Sequence, residues 1–478
     1  MIFGLFSFAL MAVVLYFAVI GVRTTVLRIQ GTHGLIFIRD LIKYVILFVS
    51  VLITCLGLSG LLGLLLDTQN IDYYSKLDAA RWLAFIVVGI PVTILMSIWI
   101  RRDFNKNVQA SQAPAWQIYL LAATTVSFLI WFAPMARALQ WIIGKDYLPR
   151  ELAQVIVALV VWAIHLFLLR GHKSVIANGH RFAGMASGIV AASIALIRLV
   201  DYAISANIDV ATGEYQLREA LLLLGIGVPV ALLYWFIFEY SATDLEARIY
   251  RTFAGMVIPS VFFAVGATLA LKDFLVWNFG THIEDSTRFF THTPQWLGFI
   301  VVLGPLVWYF RHLVRRFSRD DLTRLYQYLM SAAALVGVGL AGGWLIAGLF
   351  EFNNFPNTFI TGVSGLTITL PLWWVQWRKC QEALEMDFDV EDSSPIRRIY
   401  LYVTIGAPTL AAIGASVWLF YVVFKAMLVG GFDITNIQAP VGMLASAGVI
   451  ALYQLRVYQD HNHRTARRTA VTLPKMAH

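Results

Sequence analysis

The chain is 478 residues long, 59% hydrophobic and 13% charged, with a net charge of +8. Soluble domains carry about 25% charged residues, so this balance excludes an ordinary soluble protein. The positive charge is read as a topology signal, because Lys and Arg mark the cytoplasmic loops of membrane proteins, and no nucleic-acid partner is expected. Cys55 and Cys380 are the two cysteines. One lies inside an apolar run and the other just past the end of one, so neither a disulfide framework nor a zinc site is expected.

Nearly charge-free stretches of roughly 18 to 30 residues recur from end to end, each able to cross a hydrocarbon core about 30 Å thick. The first covers 2–22 and is followed by Arg23 and Arg28. It lacks a charged stretch before it, which predicts an uncleaved anchor with its amino terminus outside. Twelve further spans come in pairs, a long helix (A) and then a shorter one (B). The A helices are predicted at about 38–66, 115–143, 181–205, 247–277, 322–350 and 396–429, the B helices at about 82–100, 152–170, 217–239, 295–312, 359–377 and 438–456.

The predicted fold is therefore all-α, a polytopic integral membrane protein of about 13 transmembrane helices: one N-terminal anchor plus six parallel helical-hairpin repeats. The expected boundaries are 1–30 for the anchor, 31–110, 111–178, 179–243, 244–317, 318–393 and 394–458 for the hairpins, and 459–478 for a basic cytoplasmic tail. Lys and Arg concentrate where the chain enters an A helix, as at Arg101, Arg102, Arg311, Arg315, Arg316 and Arg319. Loops from A to B carry acids such as Asp67, Asp209 and Glu284. This bias places the B-to-A loops and the carboxyl terminus in the cytoplasm, with the chain expected in a bacterial plasma (inner) membrane.

A phrase of arginine and alternating tyrosines marks the start of the A helices. It is IRRIYLYV at 396–403, TRLYQYL at 323–329, ARIYRTF at 247–253 and RDLIKYV at 39–45, with a looser copy, WQIYLLA, at 116–122. Arg39, Arg248, Arg324 and Arg398 suit the headgroups. Tyr44, Tyr250, Tyr326, Tyr400 and Tyr402 suit the interface just inside, as does Trp377 at the end of a B helix. These residues are expected to be interfacial anchors. The B helices carry Pro91, Pro229, Pro305 and Pro371 near mid-span, where proline frees a carbonyl one turn back and kinks the helix. Gly184 with Gly188, and Gly339 with Gly343, form GxxxG patterns for close helix packing.

Two stretches resemble a known family. PLWWVQWR at 371–378, followed after an acidic linker by SPIRRIYLY at 394–402, is similar to the prokaryotic integral membrane proteins grouped as the domain of unknown function 5671 family. Their helices end in a Trp-x-x-x-Trp-Arg phrase and restart with Arg-x-Tyr-x-Tyr. The resemblance is close from about Asp320 to Leu428, partial around Pro229 to Phe253, and weak before Arg181. It implies the hairpin architecture and no activity.

Phosphate loops, metalloprotease helices and nucleophile elbows are all missing, so no catalytic residue, cofactor or metal is expected. Ionisable groups inside spans are functional candidates by default. Here they are His165, Arg198, Asp201, Arg137, Lys272, Asp273 and Lys425. All but His165 lie toward the outer ends of A helices, where snorkelling serves them. His165 lies deep in its span and is expected to bond a neighbouring helix. The polar residues show no concentrated core. The favoured expectation is a non-enzymatic plasma-membrane protein, a structural or assembly component of a membrane complex. Its partners would be membrane lipids and other membrane subunits or a second copy. The alternative is a transporter or lipid-handling protein with a pathway at the kinked helices, and the third a haem-binding redox subunit. The acidic segment 382–392 and the basic tail are candidate cytoplasmic contact sites.

Overall fold

The computed structural model describes residues 33–67, 73–106, 113–169, 175–207, 214–241, 253–281, 285–316, 320–350, 355–386, 388, 391, 394–429 and 435–472. Among the described residues the chain is helical without a strand, and twelve helices are long and apolar enough to cross a membrane. They are α1 (His33–Leu66), α2 (Tyr73–Lys106), α3 (Pro114–Phe132), α4 (Pro149–Leu169), α5 (Val175–Asn207), α6 (Glu214–Ser241), α7 (Ile258–Phe279), α8 (Thr293–Arg316), α9 (Asp320–Leu349), α10 (Phe355–Met386), α11 (Pro395–Val429) and α12 (Thr435–Thr472). The anchor expected at 2–22 lies outside the described residues.

Proline punctuates these helices in two ways. Pro114, Pro149 and Pro395 open α3, α4 and α11, where the missing N–H is one that a first turn leaves unbonded anyway. Pro91, Pro229, Pro305 and Pro371 lie inside continuous helices, and all four sit on exposed faces. The span expected at 115–143 is present as Pro114–Ile143, but Pro134 interrupts its helix. α3 stops at Phe132, and the N–H of Ala133 closes it on the Leu129 carbonyl at 3.1 Å. A short turn, Met135–Ala138, and a 3-10 segment, Gln140–Ile143, follow, and Gly144 ends them at φ 83. That left-handed conformation suits glycine. At the start of α7, Pro259 cannot bond the carbonyl one turn back, and a wider π turn, Phe253–Val257, precedes the helix.

The chain forms two compact units, 1–195 with 213–247 and 196–212 with 248–478. In the first, α1 packs on α2, α3 and α4, and α3 packs on α4. α3 is the most enclosed helix, with 67% of its most apolar stretch buried. Gly184 and Gly188 let α5 approach α6 closely. A side chain starting at Gly184 would meet the Tyr234 ring at 2.6 Å, so the contact requires glycine. In the second unit, α9 packs on α10, α11 and α12, and α11 packs on α12. The same four pairings thus recur in α1–α4 and α9–α12. Gly339 lies beside Ile450, and Gly343 beside the α12 backbone at Gly442. α11 is the least enclosed span, with 11% of its most apolar stretch buried.

Candidate functional site

The candidate site is built where α9, α10, α11 and α12 share one end. On α11, the residues at helical spacing Arg397, Tyr400, Leu401 and Thr404 are buried, while Arg398, Ile399, Tyr402 and Val403 are exposed. One face of the phrase thus points inward and the other outward. On α9 the inward positions are Tyr328, Ser331 and Leu335, on α10 Trp373, Trp377 and Cys380, and on α12 Ser446, Ile450 and Gln454.

Glu391, from the segment between α10 and α11, joins them with 1% exposure. Its Oε1 accepts a hydrogen bond from the Tyr328 hydroxyl at 2.6 Å. Its Oε2 stands 3.1 Å from Arg324 Nε, close enough for an ion pair but not aligned as a hydrogen bond. The Tyr328 oxygen in turn accepts from Arg397 Nη1 at 3.0 Å, and Arg397 is itself 1% exposed. Two guanidiniums therefore share one carboxylate through a tyrosine relay.

A neutral network adjoins this charged one. The Tyr328 and Tyr400 rings meet at 5.1 Å, and the Tyr400 hydroxyl bonds Ser331 Oγ at 2.9 Å. Trp377 stacks on Tyr400 at 5.4 Å and donates its Nε1–H to the Tyr453 hydroxyl at 2.8 Å. Trp373 and Gln454 face the same Tyr400 hydroxyl without reaching hydrogen-bond geometry. Among the described residues, eight buried side-chain polar atoms lack a hydrogen-bond partner, and five belong to this cluster: Trp373 Nε1, Glu391 Oε2, Arg397 Nε and both amide atoms of Gln454. Buried polar atoms are normally satisfied by protein or ordered water, so their concentration here singles out the site. The expectation of no concentrated polar core is corrected accordingly.

The first unit holds a related arrangement. Lys43, 7% exposed, pairs with Asp103 at 2.5 Å and Asp40 at 3.5 Å. Tyr44 and Tyr119 stack at 6.0 Å with Trp116 against both. Tyr44 with Tyr119, and Tyr328 with Tyr400, are thus buried pairs from the same phrase. Three residues before the second tyrosine, however, the first unit has Trp116 and the second has Arg397. Tyr44, Tyr400 and Trp377 were expected as interfacial anchors, and their side chains are buried. They turn into their bundles, because helical phase aims them at neighbouring aromatic rings. Tyr402, 59% exposed, and Arg398 do face outward, while Tyr326 and Arg324 are half-buried. Arg39 lies in α1 with its side chain outside the described part, and Arg248 and Tyr250 lie outside the described residues altogether.

The remaining candidates are not brought together. His165 is buried, and its Nδ1 is 2.8 Å from the Val161 carbonyl, which can only accept. Nδ1 therefore carries the proton, and Nε2 accepts from the Tyr119 hydroxyl at 2.9 Å. A second buried histidine, His180, was not singled out from the sequence. Its Nε2 accepts from Trp162 Nε1 at 3.3 Å and meets the Tyr234 hydroxyl at 3.0 Å. Asp201 accepts from Ser205 at 3.3 Å, with Arg198 and His292 acting on it electrostatically. Asp273 accepts from Thr293 at 2.8 Å, beside half-buried Lys272. Arg137 is exposed with Glu151 at 3.9 Å, and Lys425 is exposed. Among the described residues no three His, Cys, Asp or Glu side chains cluster as metal ligands would.

Twelve apolar spans packed as helices define a multi-pass α-helical membrane protein. The chain belongs to the family of the Domain of unknown function (DUF5671), whose model matches residues 40–164 and 324–452, more than half of its length. The matches fall on α1–α4 and α9–α12, the two sets with the same pairings. The earlier match covers a stretch where the resemblance was expected to be weak, and the stretch around 229–253, expected to be partly similar, lies outside both. No curated protein and no solved structure matches the chain.

Proposed function

We propose that this chain is a non-enzymatic component of a bacterial plasma-membrane assembly, built by duplication of helical hairpins and seated laterally against another membrane protein or a second copy. The observation that carries this reading is the outer face of α11. Ile413, Val417, Phe420, Tyr421 and Phe424 are exposed along it. Gly406 and Gly414 have nothing within 4 Å of where a side chain would begin, whereas Gly184, Gly188 and Gly343 are each taken up by a neighbouring helix. A face combining open small residues with large aromatic ones suits close helix approach. Loop charge supports placing the end with Arg397 and the carboxyl terminus in the cytoplasm. Gentle extraction from native membranes, with and without Gly414→Trp, tests the reading. A complex seen for the natural chain and lost in the variant is expected.

The second reading, a transporter or lipid-handling protein, is favoured by the partnerless polar atoms between α10, α11 and α12. Its test is solute or lipid movement in reconstituted vesicles. Activity that responds to Arg397→Gln would replace the assembly reading.

A further inference from the structure

We infer that the closed end of α9–α12 is a binding site for a phosphate group, centred on Arg397. This goes beyond an assembly role and does not depend on it. A guanidinium stays protonated in proteins, and a desolvated cation without a counter-charge is strongly unfavourable. Arg397 is 1% exposed, its Nη1 donates to the neutral Tyr328 hydroxyl, and its Nε has no partner. Among the described residues it makes no ion pair. The neighbouring carboxylate, Glu391, is already held by Arg324 and Tyr328. Two guanidiniums to one carboxylate leave the cluster one positive charge in excess.

The fold itself does not require that charge, since Trp116 stands three residues before Tyr119 as Arg397 stands before Tyr400. Donors suited to an oxyanion lie nearby. Trp373 Nε1 and Gln454 Nε2 are buried without partners beside the Tyr400 hydroxyl, one turn along from Arg397. α11 begins at Pro395, so its first turn also brings backbone N–H groups to the same end. An arginine fork with several neutral donors fits a phosphate group better than a cation or an apolar group. The phosphate can be inorganic or that of an anionic phospholipid, since both meet a membrane protein at the end of its bundle.

The full-length protein in neutral detergent is titrated with inorganic phosphate in one arm and with phosphatidylglycerol in mixed micelles in the other, following intrinsic tryptophan fluorescence. Saturable binding is expected in at least one arm. Phosphate alone identifies a free oxyanion, and phosphatidylglycerol alone identifies a lipid headgroup. Arg397→Gln should weaken binding about tenfold or more, and Glu391→Gln should tighten it by removing a competing negative charge. Arg398→Gln, one position along and exposed, should leave it unchanged. If Arg397→Gln does not yield folded protein, Arg397→Lys should show a smaller loss, because it keeps the charge without the fork. Absence of saturable binding in both arms overturns the inference. So does binding that is indifferent to Arg397, or that falls equally with Arg398→Gln. Loss of the α11-mediated complex alone would leave it standing.

Discussion

Replacing Glu391 with alanine should destabilise the second unit by about 3 to 5 kcal/mol, the range for breaking a buried ion pair from one side. The figure follows from what the carboxylate holds. Glu391 is 1% exposed, receives the Tyr328 hydroxyl at 2.6 Å and lies 3.1 Å from Arg324 Nε. Its removal leaves Arg324 and Arg397 near each other with no negative charge between them. Arg324 is 20% exposed, so partial hydration favours the lower end of the range. The control is Glu382→Ala. Glu382 pairs with Arg378 at 2.9 Å, but the partners are 49% and 69% exposed, and such a pair contributes about 0.5 kcal/mol or less. Denaturant or thermal unfolding of the purified protein in detergent measures both. Equal midpoints for the two variants, or a Glu391→Ala midpoint matching the natural chain, would refute the counter-ion role.

Tyr328→Phe should cost about 1 to 3 kcal/mol, because it strands both the Glu391 oxygen and the Arg397 N–H, and the same unfolding assay reads it. His165→Phe should cost a similar amount by leaving the buried Tyr119 hydroxyl without its acceptor, whereas Lys425→Gln on an exposed face should stay within about 0.5 kcal/mol. Gly184→Leu should sharply reduce the yield of folded protein, since its first side-chain atom would stand 2.6 Å from the Tyr234 ring. Retention of normal yield would show that α5 and α6 do not need that close approach. Reporter fusions at the carboxyl terminus should be active only for a cytoplasmic reporter, and a periplasmic signal would invert the proposed orientation.

The spans were legible because apolar runs of membrane length leave few alternatives. Their ends were less so. Pro134 cuts α3 short within what composition alone joins, and α10 and α12 run on to Met386 and Thr472 through polar sequence that hydropathy assigns to loops. The tyrosine phrase was legible as a recurrent mark but not as a site. Interface-seeking and bundle-facing rings have the same composition. Helical phase alone separates Arg397 and Tyr400, which turn inward, from Arg398 and Tyr402, which turn outward. That spacing was readable, whereas the partner was not. Glu391 sits in an acidic linker that reads as solvated, and its burial depends on arginines from two helices. His180 was hidden for a related reason, since its acceptor role is set by Trp162 and Tyr234, respectively 18 and 54 residues away.

The most direct test of the assembly reading is the composition of the particle extracted from native membranes into polymer discs, weighed with α11 intact and with Phe420→Ala and Phe424→Ala combined. A particle containing at least one further protein chain, whether a second copy or another subunit, is expected for the natural chain, with loss of that chain in the double variant. A particle holding one copy of this chain and lipid alone, unchanged by the double variant, would contradict the assembly reading.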